Sequence, residues 1–173
     1  MTEEQVFKQT GETYLRLIHP ASPDDDYHSF LAPFRQFTTT VPSEVVSSLV
    51  GGASWRERLL GLWLAMARGP ESFVDPMLKS LSDVRGYSIA PTCAALAVLA
   101  RRGRFDIGRL LSDEIDRSAF DGDLGWAINQ AERYARGEAV SADERCRNSG
   151  QSFLHQVEMY EWIMEGQPCR CSE

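Results

Sequence analysis

Two stretches of the chain, Leu59 to Ala67 and Cys93 to Ala100, are apolar at nearly every position, and around them apolar residues return every three or four positions. That period predicts helices; the unbroken runs mark helices buried on all sides and the one-sided stripes mark helices with a wet face. The first stripe, Val6, Phe7, Thr10, Tyr14, Leu17 and Ile18, follows Thr2 and Gln5, which have the spacing of a capping box, and ends near His19-Pro20. Tyr27, Phe30, Leu31, Phe34 and Phe37 predict a second helix after the Pro23 to Asp26 turn, kinked or shortened at Pro33. Thr38 to Thr40 reads as an extended link, and Val45, Val46, Leu49 and Val50 as a short helix stopped by Gly51-Gly52.

From Ser54 onward the pattern repeats. Ser54 and Glu57 form a second capping box in front of Trp55, Leu59, Leu60, Leu62, Trp63, Leu64 and Met66, and Gly69-Pro70 then turns the chain into a return helix burying Phe73, Met77, Leu78 and Leu81. The apolar helix after Pro91 ends at Gly103. A more polar one, with Asp121 as its expected N-cap and Leu124, Ala127, Ile128, Ala131 and Tyr134 on one side, ends at Gly137. Arg68-Gly69, Arg102-Gly103 and Arg136-Gly137 recur every 34 residues. Phe73 and Ile107, Met77 and Leu111, and Leu81 and Ile115 keep the same spacing in the return segments. Ser141 and Glu144 suggest a further capping box, and Phe153, Leu154, Val157, Tyr160, Trp162, Ile163 and Met164 close the fold. The expected fold is all-α, a single domain over 1–173 built of stacked antiparallel helical hairpins in an α-solenoid. Its repeat units fall at about 54–87, 88–120 and 121–165, with a flexible tail at 166–173.

These helix pairs resemble HEAT-like repeats, a little short for that class. Trp55-Arg-Glu-Arg-Leu-Leu-Gly-Leu-Trp-Leu-Ala65, Cys93-Ala-Ala-Leu-Ala-Val-Leu-Ala100 and Asp123-Leu-Gly-Trp-Ala127 also look like an uncharacterised family of small bacterial all-α proteins. The resemblance spans roughly Ser54 to Gly137. It implies the all-α fold and a bacterial origin, and it implies no chemistry.

Composition is that of an ordinary globular chain, 43% hydrophobic and 25% charged. The N-terminus lacks the pattern of a signal peptide, and no apolar run is long enough to cross a bilayer, so a cytoplasmic protein without membrane contact is expected. With 18 basic and 25 acidic side chains the net charge is −7, which disfavours nucleic acid and favours a basic partner. Cys93 reads as a core residue, Cys146 and the Cys169-x-Cys171 tail match no zinc template, and no metal or cofactor is expected. His19, His28 and His155 are scattered, and no Walker loop, dinucleotide fingerprint, zinc-protease motif or nucleophile elbow occurs, so no catalytic residue is assigned.

What the repeat leaves unexplained is an acidic, aromatic junction: Asp113, Glu114, Asp116, Asp121 and Asp123, with Trp126 and Tyr134 beyond. Capping aspartates on a solvated face are the plainer reading of these carboxylates. Grouped beside aromatics they would also make a docking surface for a basic protein, charge setting the on-rate and aromatics the anchors. The expected function is therefore a non-catalytic protein-binding module, in its sharper form an immunity-type protein that blocks a toxin, monomeric or homodimeric. The alternative is a HEAT-like enzyme, a lyase or hydrolase, whose site is assembled from scattered acidic and aromatic residues.

Overall fold

The computed structural model describes residues 1–10, 37–111, 115–141 and 143–165. Among them the protein is all-α, with seven α-helices: α1 (Glu3–Thr10), α2 (Ser43–Val50), α3 (Trp55–Arg68), α4 (Val74–Ser82), α5 (Ile89–Arg101), α6 (Asp123–Ala135) and α7 (Phe153–Glu165). No helix among the described residues is long and apolar enough to cross a membrane. The aromatic stripe from Tyr27 to Phe34, Asp113, Glu114 and the cysteine tail lie outside the described residues.

Local sequence chemistry sets most helix ends. In α3 both halves of the capping box form: the Glu57 N–H donates to Ser54 Oγ at 3.3 Å and the Ser54 N–H to Glu57 Oε2 at 2.7 Å. Thr2 and Gln5 make the same reciprocal pair before α1. Gly103 and Gly137, at φ of 68° and 79°, each close a helix with the paired bonds of a Schellman motif, Arg104 N–H to the Leu99 carbonyl and Glu138 N–H to that of Arg133, both 2.9 Å. The recurring arginines have structural partners as well: Arg68 donates to the Val41 carbonyl, Arg102 to Glu161, and Arg136 lies 3.7 Å from Glu132.

Helices α3, α5 and α6 begin at Trp55, Ile89 and Asp123, in step with the 34-residue spacing. Their starts share one edge, because the Trp55 and Tyr87 rings lie 5.0 Å apart and Phe120 Cε1 would stand 3.7 Å from a β-carbon on Gly86. Towards the other end of the helices, Arg104 pairs with Glu71 at 2.6 Å and Arg109 with Asp75 at 2.8 Å. Buried Arg58 joins the start of α3 to the end of α4 through the carbonyls of Ser80, at 2.8 Å, and Asp83, and it also reaches that of Gly52 at 2.7 Å. Loss of hydration holds its pKa below the ordinary arginine value, and Asp83 opposes that shift.

Four expectations fail locally. Residues Ile107–Leu111 form a 3-10 turn, and Leu111 is 42% exposed, so the second return segment does not reproduce α4. Ser141 and Glu144 start no helix: Glu144 instead accepts from Gln130 Nε2, and Ser141 Oγ accepts the Asp143 N–H. Thr38 to Thr40 is not extended, since the Thr40 N–H closes a turn on the Phe37 carbonyl at 3.0 Å. Asp121 does not cap α6; Gly122 occupies that position.

Every residue of α5 from Ile89 to Leu99 is buried, beneath α6 on one side and α7 on another. Helix α7 packs on α5 and reaches α3, where Tyr160 meets Trp63 with ring centroids 6.3 Å apart. Helices α2 and α3 cross so closely at Gly61 that a β-carbon there would sit 2.4 Å from the Val50 nitrogen.

Gly61→Ala should therefore force α2 off α3 and lower stability by about 2–3 kcal/mol, read as an earlier midpoint in denaturant unfolding. Among the described residues, Tyr160 Oη is fully buried without a hydrogen-bond partner. Tyr160→Phe keeps the ring and removes the orphaned hydroxyl, so it should raise stability by about 1 kcal/mol, a gain of about 2–4 °C in Tm.

Candidate functional site

The chain enters α6 through an unusual turn. Phe120, Asp121 and Gly122 are all left-handed, with φ of 54°, 54° and 89°. Glycine takes that conformation freely, whereas Phe incurs about 1–2 kcal/mol of steric strain in it and Asp less. The Asp123 N–H donates to the Phe120 carbonyl at 3.0 Å and the Gly122 N–H to that of Ser118 at 3.0 Å, so the turn is internally bonded. The Asn148 side-chain amide also donates to the Phe120 carbonyl, at 2.8 Å, clamping the turn from the following loop.

Asp123 anchors that loop. Its carboxylate is buried and accepts the N–H groups of Arg147 and Asn148, both at 2.9 Å, and the Asn148 side-chain amide at 2.6 Å. Burial pushes the Asp123 pKa up, but these bonds and the Cys146 thiol outweigh it and hold the pKa below the usual aspartate value. The loop is tightened by an antiparallel bridge between Arg145 and Ser152 and by the Cys146 N–H, which donates to the Gln151 carbonyl at 2.9 Å. Cys93 and Cys146 are buried free thiols whose pKa values are raised by loss of hydration, and such thiols are inert nucleophiles.

The five described residues of the acidic, aromatic junction are not brought to one place. Asp113 and Glu114 lie outside the described residues. Asp116 is exposed and held by Ser118, whose hydroxyl at 2.6 Å and N–H at 3.0 Å lower its pKa. Asp121 is exposed, and among the described residues its carboxylate has no hydrogen-bond or ion-pair partner. Trp126 is half-buried against the core. Tyr134 stands eleven residues beyond Asp123 on the same helix, about 16 Å away. There its ring lies 4.5 Å beneath the Arg101 guanidinium, and its hydroxyl donates to Glu161 at 3.0 Å. Burial and Glu161 push the Tyr134 pKa up to about 12, so this phenol serves to join α6 to α7.

The residue the sequence reading missed is Phe120. It is 41% exposed at the tip of the strained turn, between free Asp121 and the clamped carbonyl. A signal was present: an aromatic residue outside the apolar period and directly before an Asp-Gly pair, which marks a turn. Phe120 continues a row of aromatic side chains along the edge where three helices begin. Past Gly86 come Tyr87 and Trp55, and the Arg56 guanidinium lies 4.3 Å from the Trp55 ring centre. Charge along this edge is mixed, because acidic and basic side chains balance between 54 and 150 and the acidic excess resides in the flanking segments. Among the described residues no group of three His, Cys, Asp or Glu could hold a metal ion, and His155 is the one histidine described.

No protein-family model, no curated protein and no solved structure matches this chain.

Asp123→Asn should leave one or two of the loop's N–H donors without an anionic acceptor, costing about 2–3 kcal/mol. The folded pKa of Asp123 is depressed, so its contribution is present above the unfolded value near 3.8 and is lost as pH falls through the lower folded pKa. Unfolding midpoints measured between neutral and strongly acidic pH should show that acid-side loss in the wild type and a smaller one in Asp123→Asn.

Proposed function

We propose that this protein is a non-catalytic protein-binding module and that Phe120 is the anchor of its docking surface. The observation that carries this reading is the strained, clamped turn holding Phe120 at the surface. Two non-glycine residues in the left-handed region cost stability that folding alone does not require, and such strain concentrates where a surface is used. An exposed aromatic side chain beside a partly apolar edge is the residue type that dominates binding energy in protein interfaces. Trp55 and Tyr87 supply apolar area beside it, and Asp116, Asp121 and Arg117 supply a polar rim.

The stacked start points of α3, α5 and α6 support a HEAT-like ancestry for this edge, with α7 as a closing helix in place of a further repeat. The sharper form of the proposal is an immunity-type protein that blocks a basic toxin. In that form the net charge of −7 speeds encounter while Phe120 and its neighbours fix the bound pose. The charge that steers and the aromatic edge that anchors then belong to different parts of the chain.

Phe120→Ala changes an exposed side chain at one point and keeps a β-carbon at the left-handed position, so the variant should remain about as stable as the wild type. Affinity capture from the cells of origin with both proteins, followed by titration of the purified partner, tests the proposal. The expected result is a partner whose affinity falls by about 2 kcal/mol, roughly thirtyfold, in Phe120→Ala. Equal affinity of both proteins for every partner that the wild type binds would remove Phe120 from the interface.

A further inference from the structure

We propose that Asp121–Gly122 is a site of spontaneous aspartate isomerisation, set by a free exposed carboxyl group directly before a glycine in a left-handed turn. The chemistry needs no other reactant than water. The Gly122 nitrogen attacks Asp121 Cγ, a C–N bond forms, and the carboxyl oxygen leaves as water with the amide proton, giving a five-membered succinimide. Water then adds at the main-chain carbonyl and that C–N bond breaks. The product has the same mass, with the main chain routed through the former side chain and the former α-carbonyl released as a carboxylate.

Among the described aspartates, structure or sequence separates each of the others from Asp121; Asp143, also exposed, precedes Glu144 and not glycine. Asp123 is buried and its carboxylate accepts three N–H bonds. Asp75 precedes Pro76, which has no N–H to attack with, and pairs with Arg109. Asp83 is held by Arg85 and Arg58 and precedes the β-branched Val84. Asp106 accepts the Gly108 N–H and precedes β-branched Ile107, and Asp116 is bonded to Ser118 and precedes Arg117. Asp121 alone precedes glycine anywhere in the chain, and glycine offers the least steric resistance to ring closure. The Gly122 N–H donates to the Ser118 carbonyl at 3.0 Å, which slows attack while the turn is closed. The strain at Phe120 and Asp121 works in the opposite direction, since every opening of the turn relieves it.

Isomerisation inserts a methylene into the main chain one residue after Phe120. The Phe120 carbonyl can then no longer keep its place against the Asn148 amide, and the clamped display of the ring is lost. This consequence rests on the docking role of Phe120, whereas the chemistry does not.

The full-length protein is incubated for weeks at physiological temperature and mildly acidic to neutral pH. Isoaspartate is then located by proteolysis and electron-transfer fragmentation, with isoaspartyl methyltransferase labelling as an independent count. Isoaspartate should accumulate at position 121 several-fold faster than at any other described aspartate, and Asp121→Glu should abolish the methyltransferase labelling of the proteolytic peptide that contains position 121. Equal rates at all aspartates, or an unmodified position 121, would overturn the proposal and leave the docking reading untouched. Isoaspartate at 121 with unchanged partner affinity would confirm the chemistry and count against Phe120 as the anchor.

Discussion

A helix with no face left for solvent constrains everything around it, and α5 is such a helix. From Ile89 to Leu99 each side chain is buried, so each side needs a covering element. Ala90, Ala94, Ala95 and Ala97 let those elements approach closely, and α3, α4, α6 and α7 all pack against it. An open stack of hairpins would leave one side of α5 uncovered once α3 and α6 are in place. Helix α7 supplies that cover by packing on α5 and α3, and Glu161 then fixes its outer end through Arg102 and the Tyr134 hydroxyl. The same demand that gives the sequence its unbroken apolar run thus brings α7 onto α5.

The legible parts of the fold are those determined within a few residues. Ser54 with Glu57, Gly103 with the Ala100 carbonyl, and Gly137 with the Tyr134 carbonyl are local bonds that any neighbouring structure can keep. Spacing over 34 residues was legible too, because α3, α5 and α6 start in step. Leu111 shows where the reasoning gave out. Its position matches that of Met77, yet Met77 is covered while Leu111 is exposed at the end of a 3-10 turn. Equivalence in sequence transfers burial only if the neighbouring element is also repeated. Ser141 and Glu144 make the same point for capping, since their spacing is right but Glu144 is drawn to Gln130 and no helix follows.

Arg58 and Asp123 were the hardest residues to read. Each is charged, close to a helix start and two residues after another charge of the same sign, the usual appearance of a solvent-facing position. Both are buried because loops deliver backbone partners to them: carbonyls of Gly52, Ser80 and Asp83 to the guanidinium, N–H groups of Arg147 and Asn148 to the carboxylate. Asp123 is additionally favoured by the positive end of α6, whereas Arg58 sits at the corresponding end of α3 against that field. Nothing in residue type or period distinguishes these two from Arg56 or Asp121, because the distinguishing partners are distant in sequence.

Asp123 also changes the meaning of the acidic cluster of which it is part. Had its carboxylate faced solvent, Asp116, Asp121 and Asp123 would form one negative patch, and charge alone would describe a docking surface. With Asp123 withdrawn into the loop anchor and Asp116 bound by Ser118, Asp121 is left as the free acid beside Phe120, with Arg117 close in sequence. What stands exposed there is an aromatic ring held in place, not accumulated charge. Its clamp is built from the residues that compose the anchor: Asn148 binds both the Asp123 carboxylate and the Phe120 carbonyl, so the ring keeps its place only while the loop keeps its fold.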